Sequence, residues 1–353
     1  MRANVVITER IIVDPAAPAI TAIDRAAAVL RAGGLVAFPT ETVYGLGACA
    51  DDAACVSKIY AAKGRPERNP IIVHVTDAQA AAAIAGQWPD AAARLAAEFW
   101  PGPLTLIVPR GTRIPPITSA GLDSLAVRAP DHPVAQALLR ALGRPIAAPS
   151  ANLSSRVSPT TAGHVLSQLD GLIDMVLDAG PCRVGIESTV VDVRHVPATV
   201  LRRGAVSLRQ LSAILGADAV TDAIETPARR ALGAHPSVRA VADADAGPRA
   251  SPGLDRRHYA PRTPARLLPR TEIAAIVAAP EGVIGVLSRG TAIGLGATLE
   301  ATLPDAPEPF AAGLYATLHT LDDAGCTEIL VEAVPGDDRW AAVRDRLERA
   351  CAS

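Results

Sequence analysis

Through residue 202, short apolar runs of strand length alternate with longer helical stretches, and a chain patterned this way is confined to an α/β architecture. Thr21 with Asp24 reads as a capping box opening a helix that stops at Gly33-Gly34. Leu35 to Phe38 follows as a short buried strand. Asp52 caps a helix whose Val56, Ile59 and Tyr60 share a face, and Ile71 to Val75 is the next strand. Ala-rich helices are expected around 77–85 and 90–99. Further strands are expected at 104–108, 124–128, 146–148, 175–178, 188–193 and 199–202, with helices over 132–142 and 161–169. Some connections are short, which implies a mixed rather than purely parallel sheet. Aromatic residues make up only 3% of the chain against 49% hydrophobic, so the core must be built from Ala, Val, Leu and Ile.

The composition changes near Leu215. From there to about Pro264 the chain is rich in Ala, Asp, Pro and Arg with weak periodicity, and reads as a linker. A second, smaller α/β pattern follows, with strands expected at 265–268, 283–287 and 328–332 and helices at 271–278, 309–323 and 338–351. The expected domains are therefore 1–214, a linker over 215–264, and a small three-layer unit over 265–353.

Several function classes are disfavoured at this level. A formal net charge of −2 speaks against a broad nucleic-acid footprint, although a local basic cavity remains compatible with it. The five cysteines, at 49, 55, 182, 326 and 351, form no C-x-x-C pair and fit neither a disulfide scaffold nor a zinc site. Free thiols in a reducing compartment are the plain reading. The N-terminus has no continuous apolar core of a signal peptide, and no apolar run approaches a membrane span, so a cytoplasmic location is expected. No G-x-x-x-x-G-K-[ST] stretch exists. Gly45-Leu46-Gly47-Ala48-Cys49-Ala50 does match G-x-G-x-x-A, but Pro39 to Tyr44 separates it from its strand. The acidic residue near the expected spacing, Glu67, lies in a basic loop, so nicotinamide binding is disfavoured.

The polar groups instead gather at expected strand ends. Pro39-Thr40-Glu41-Thr42 follows the first strand, and Lys63, Arg65, Arg68 and Asn69 lie in a loop broken by Gly and Pro. Guanidinium forks of this kind grip phosphate oxygens, while the ordinary alternative is a solvated basic turn. Ser150 and Asn152 follow the strand ending at Ala148, where short polar side chains serve either a ligand or a turn. Ser158 is ambiguous in the same way. Alternation places His74 with Ile72, opposite Val73 and Val75, which permits a core or a ligand role. Arg128 ends its strand and can meet a carboxylate or a surface partner. Glu187 and Ser188 enter one strand, and Arg202-Arg203-Gly204 leaves the next.

Taken in order, PTETVYGLG, KGRPERNP with the following IIVHV, LAVRAPDHP, APSAN, SPT, GIESTVVD and LRRG resemble the motifs of YrdC-like domains, with the threonylcarbamoyl-AMP synthase family as the best match over roughly residues 8–210. Ser251 to Pro261 resembles the linker of that family's two-domain form, and the remainder resembles its small C-terminal domain. The resemblance implies a YrdC-like domain with a twisted mixed sheet and flanking helices, plus a small Rossmann-like C-terminal domain. It implies a nucleotidyltransferase acting on L-threonine, bicarbonate and ATP to give threonylcarbamoyl-AMP and pyrophosphate. The product feeds threonylcarbamoyladenosine modification of tRNA by a separate transferase complex, with weak or no direct tRNA binding and no membrane association.

Position by position, the resemblance implies that Thr42, His74, Arg128, Ala148 and Ser188 contact threonine. Lys63, Arg65, Asn69, Ser124, Ser150, Asn152, Ser158 and Arg202 would hold ATP, Lys63 and Arg65 would serve catalysis, and Tyr259 would reach over the nucleotide from the linker. Mg²⁺ would come with ATP rather than be held by side chains, and no organic cofactor is implied. The readings that stay open beside this one are a non-enzymatic RNA-binding module of the same fold, a carbamoyl-transfer maturation enzyme, and an inactive paralogue.

Overall fold

The computed structural model describes residues 7–223, 258–280, 282–294 and 299–352. Among the described residues, eleven strands form one large sheet. In chain order they are β1 (Glu9–Ile12), β2 (Val36–Phe38), β3 (Gly45–Cys49), β4 (Val73–His74), β5 (Leu104–Pro109), β6 (Ser124–Arg128), β7 (Ile146–Ala147), β8 (Met175–Asp178), β9 (Thr189–Asp192), β10 (Ala198–Arg202) and β11 (Val220–Asp222). Their spatial order is β1-β8-β2-β3-β7-β4-β6-β5-β9-β10-β11. The sheet is mixed, as expected: β4 pairs parallel with β6 and antiparallel with β7, and β5 pairs antiparallel with β6 and parallel with β9. β2, β3, β6, β9 and β10 are buried along their whole length, which is why all of them but the glycine-containing β3 read as apolar runs without alternation.

Among the described residues, seven helices serve this sheet: α1 (Ile20–Arg31), α2 (Ala53–Lys63), α3 (Ala78–Ala82), α4 (Asp90–Phe99), α5 (Pro133–Leu142), α6 (Ala162–Leu169) and α7 (Leu208–Leu215). Asp52 caps α2 as expected, accepting hydrogen bonds from the Ala54 and Cys55 amides at 2.9 and 3.2 Å. The capping box expected at Thr21 and Asp24 does not form. The N-cap of α1 is Ala19, without a side-chain cap, and the helix is held by its buried face of Ala22, Ile23, Ala26, Ala27 and Leu30.

Four further strands, β12 (Ala265–Leu268), β13 (Ile284–Arg289), β14 (Leu299–Leu303) and β15 (Glu328–Glu332), make an all-parallel sheet in the order β12-β15-β13-β14. Helix α8 (Arg270–Val277) packs its Ile273 and Val277 against Ile284, Val286 and Leu330. On the opposite face, α9 (Pro307–Asp323) and α10 (Ala341–Ala350) pack with Leu287, Ile329 and Val331. This is the three-layer unit expected, with one strand more.

The differences from expectation have physical causes. β1 is short and exposed, with no apolar run to mark it. β3 is Gly-Leu-Gly-Ala-Cys and lacks the β-branched residues that signal strands; a Cβ on Gly47 would come within 2.8 Å of Phe38 and 2.9 Å of Ile146, so its glycines serve close packing. β14 is largely exposed at the edge of its sheet. The break near Leu215 falls before β11, which pairs with β10, so the large sheet continues to Asp222. Of the expected linker, residues 224–257 lie outside the described residues.

Gly204 lets the chain leaving β10 touch the one entering β9. A Cβ there would lie 2.3 Å from the Thr189 nitrogen and 2.7 Å from the Glu187 oxygen, both backbone atoms that have no side-chain freedom to yield. Gly204→Ala is expected to lower unfolding free energy by about 1–3 kcal/mol, measured by urea denaturation. An unchanged midpoint would show that the two segments separate at no cost.

Candidate functional site

One recess lies where several strand ends of the large sheet meet. Its wall includes Thr40, Thr42, Arg65, His74, Arg128, Ala148, Ser150, Glu187, Ser188, Arg202 and Tyr259. The turn between β2 and β3 forms the first side. Thr40 knits it together: its hydroxyl bonds the Val43 carbonyl at 2.7 Å and receives the Thr42 and Val43 amides at 3.2 Å each. The Thr42 hydroxyl lies 2.8 Å from that of Thr40 and accepts from Arg128 Nη1 at 3.0 Å.

Arg128 is buried, and its Nη2, although close to a carboxylate, has no hydrogen-bond partner among the described residues. Its Nε donates to the Gly102 carbonyl at 3.2 Å, and its Nη2 lies 2.7 Å from Glu41 Oε1. Glu41 is buried behind it, so this is an ion pair shielded from water, whose separation would strand a charge. His74 is the register partner of Arg128 on the neighbouring strand. Burial, reinforced by the Arg128 charge, pushes its pKa down to about 3, so the imidazole is neutral at ordinary pH. Its Nδ1 has no hydrogen-bond partner among the described residues and stands in the recess wall.

Elsewhere in the wall, Arg65 donates from Nε to the Asn69 carbonyl at 3.1 Å and from Nη2 to the Pro70 carbonyl at 2.9 Å, which fixes the loop after α2. Arg202 donates from Nε to the Ser188 carbonyl at 3.0 Å and from Nη2 to the Ser188 hydroxyl at 3.1 Å; that hydroxyl also lies 2.8 Å from Thr105 Oγ1. Three guanidinium groups thus border one recess, an arrangement that favours anions.

The residues singled out from sequence separate into two groups. Thr42, His74, Arg128, Ala148 and Ser188 all border the recess, as do Arg65, Ser150, Arg202 and Tyr259. Lys63, Asn69, Ser124, Asn152 and Ser158 are buried without forming its wall, Ser124 at the far end of the strand that Arg128 closes. Lys63 departs most from a phosphate-facing cation. Its ammonium donates to the Ser150 carbonyl at 2.6 Å and to the Asn152 carbonyl, and burial, then the Arg65 charge, push its pKa well below the usual value. A buried ammonium seeks the nearest acceptors, and here those are the carbonyls that shape the Ser150 loop. Asn152 bonds the Leu153 and Arg156 carbonyls at 2.8 and 2.9 Å, and Ser158 donates to Glu187 Oε1 at 2.6 Å.

In the sequence Glu187 stands out only as part of a polar strand entry, and its partners Tyr315 and Arg346 carry no signal at all. Both come from helices packed on the second sheet: Tyr315 Oη donates to Glu187 Oε2 at 2.9 Å and Arg346 Nε to the same oxygen at 2.8 Å. Burial raises the Glu187 pKa, but Arg346, Arg202 and the Ser158 hydroxyl outweigh it and hold the carboxyl below its ordinary range. Tyr259 completes the wall. It is a non-glycine residue at φ 62°, buried, stacked 5.8 Å from the Tyr315 ring, and its hydroxyl has no hydrogen-bond partner among the described residues. With His258 and Tyr259 in place the recess encloses about 50 Å³ of free space.

Among the described residues no three His, Cys, Asp or Glu side chains gather to hold a metal, and no helix is long and apolar enough to cross a membrane. All five cysteines are free thiols.

With this geometry in view, two family models match the chain: residues 28–204 the one described as telomere recombination (Sua5, YciO and YrdC), and residues 206–352 the one described as the C-terminal domain of threonylcarbamoyl-AMP synthase. A threonylcarbamoyl-AMP synthase of Pyrococcus abyssi is 38% identical over 92% of this chain and 92% of its own, and one of Bacillus subtilis is 38% identical over 93% and 92%. The crystal structure of P. abyssi Sua5 complexed with L-threonine is 36% identical and matches with a TM-score of 0.86, covering 98% of both chains.

The neutral, buried His74 has a consequence for acid stability. Its folded-state pKa of about 3 lies below the unfolded value near 6.5, so as pH falls below that value the unfolded chain takes up a proton that the folded chain refuses. The folded state should lose about 2 kcal/mol from this group between pH 7 and pH 5. His74→Asn is expected to flatten the pH dependence of the urea midpoint over that range; a parallel curve would show that His74 titrates alike in both states.

Proposed function

The chain belongs to the threonylcarbamoyl-AMP synthase family, and we propose that it joins L-threonine, bicarbonate and ATP into threonylcarbamoyl-AMP with release of pyrophosphate. The observation that carries this reading is the clustering, around one recess, of the five residues expected to meet threonine, Arg128 among them, with Arg65 and Arg202. Support for the threonine half comes from the likeness, over 98% of the chain, to the Sua5 structure complexed with that amino acid.

In this reading Arg128 receives the threonine carboxylate, because it is a buried cation aimed by Thr42, Glu41 and the Gly102 carbonyl. Neutral His74 offers one hydrogen bond to the amino acid and takes up no proton near neutrality. The threonine amine attacks the carbon of bicarbonate, or of carbon dioxide in equilibrium with it, loses a proton, and becomes a carbamate; from bicarbonate, water also departs. A carbamate oxygen then bonds to the α-phosphorus of ATP as the bond from that phosphorus to the β-phosphate oxygen breaks. Pyrophosphate leaves with the electron pair.

No side chain forms a covalent intermediate. Arg65, Ser150 and Arg202 face the nucleotide and oppose the charge that spreads over the reacting phosphate, while the recess holds two anions in register. Lys63 serves by shaping the Ser150–Asn152 loop. Mg²⁺ enters as part of the ATP substrate and neutralises phosphate charge. The carbamate is labile in water, so seating Tyr259 over the recess protects it. The adenylate is then passed to a tRNA-modifying transferase, in the cytoplasm.

Pyrophosphate release from ATP, with threonine and bicarbonate omitted in turn, tests the reaction. Release should require both, and RNA binding without threonine-dependent release would overturn the reading. Arg65→Ala is expected to cost about 2–4 kcal/mol of transition-state stabilisation, measured as kcat/KM. Tyr259→Ala should lower turnover with the fold intact; wild-type kinetics would remove its covering role.

A further inference from the structure

We infer that Arg346, on the last helix of the second sheet, is a positioning residue of the reaction site: it neutralises Glu187 in the recess wall and so leaves Arg202 and Tyr259 to face the nucleotide. The inference rests on the proposed function for what Arg202 and Tyr259 meet, and goes beyond it in giving the second sheet a part in the reaction.

Arg346 has 0% exposure. Besides its bond to Glu187, its Nη1 donates to Asp345 Oδ2 at 2.5 Å and its Nη2 to the Arg203 carbonyl at 2.9 Å, the residue after β10. Its guanidinium carbon stands 5.3 Å from the centre of the Tyr259 ring. One side chain of the second sheet therefore touches the carboxylate of the wall, the backbone beside Arg202, and the ring that covers the recess. Attachment alone does not call for such a group, because apolar residues of similar volume join two surfaces as well as a buried ion pair or better. The charge is required by Glu187.

The groups facing Glu187 come from every element around it. Ser158 precedes α6, Arg202 ends β10, Tyr315 lies on α9 and Arg346 on α10, and Tyr259 arrives from the linker, while Asp345 on α10 pairs with Arg346. His319 on α9 reaches the Ser158 carbonyl at 3.2 Å. Both Glu187 oxygens are occupied, Oε1 by Ser158 and Oε2 by Tyr315 and Arg346, so the carboxylate is a fixed charge and not a free base. Two buried cations oppose it, Arg346 and Arg202. Without Arg346, the carboxylate would draw Arg202 away from Ser188 and set a negative charge beside the incoming polyphosphate.

The removal of Arg346 should leave a pH signature. Burial pushes the Glu187 carboxyl up, and Arg346 is the strongest influence holding it down. In Arg346→Met, Glu187 should therefore take up a proton at higher pH than in the wild type. Protonation removes the offending charge, so the defect should shrink as pH falls.

The test measures kcat/KM for ATP by pyrophosphate release, and ATP affinity by calorimetry, from pH 8.5 to pH 6. Arg346→Met should lose about 10–100-fold in kcat/KM at pH 8.5, with KM for threonine little changed, and the deficit against wild type should narrow toward pH 6. Adding Glu187→Gln to Arg346→Met should restore about tenfold and abolish that narrowing. Where Arg346→Met does not fold, Tyr315→Phe, which removes one donor from the same oxygen, should show a smaller deficit with the same pH trend. Wild-type kinetics in Arg346→Met, a deficit constant with pH, or no rescue in the double variant would each overturn the inference. Absence of threonine-dependent turnover in the wild type would instead sink the synthase reading, and the ATP affinities would still decide the role of Arg346.

Discussion

Charge buried without water is the constraint on which the rest of this structure depends. A recess meant for anions must carry cations, and a cation inside a core of Ala, Val, Leu and Ile is stable only when its donors are placed. Arg128 is held by Thr42, Glu41 and the Gly102 carbonyl, Arg65 by the carbonyls of its own loop, and Arg202 by Ser188. Each arginine is aimed before any ligand arrives. Fixed dipoles and charges of this kind lower a barrier because nothing needs to reorient during the reaction.

The sheet is what makes the aiming possible. Its mixed order brings β4, β6, β9 and β10, together with the turn before β3, to one region, though they are scattered between residues 40 and 202 of the chain. Strand ends are rigid because the strands are buried along their length, and the loops that follow them supply the polar groups. The arrangement is a packed-sheet counterpart of the crevices in which open α/β sheets bind ligands.

Much of this was legible in the sequence. The buried strands announced themselves as apolar runs, and the polar runs that follow them were recognisable as site candidates. Strands that signal by neither pattern were not: β1 and β14 are short or exposed, and β3 hides behind glycines chosen for close packing. Within the site, sequence shows that a residue is polar but not which way it points. Lys63 and Arg65 are two positions apart in one motif and both donate to backbone carbonyls, yet Arg65 borders the recess and Lys63 does not. Glu187 looked like an ordinary polar residue entering a strand. Its importance arises from Tyr315 and Arg346, which are 128 and 159 positions away and unmarked by any local pattern.

The reach of Arg346 into the wall also bears on how separable the two halves of the chain are. A catalytic half cut away after β11 would keep its sheet and its three recess arginines, but it would carry an acid whose main counter-ion had been left on the discarded piece. The second half is thus no detachable appendage. The two units share one electrical ledger, and a shorter protein built on the same sheet would have to balance it from within.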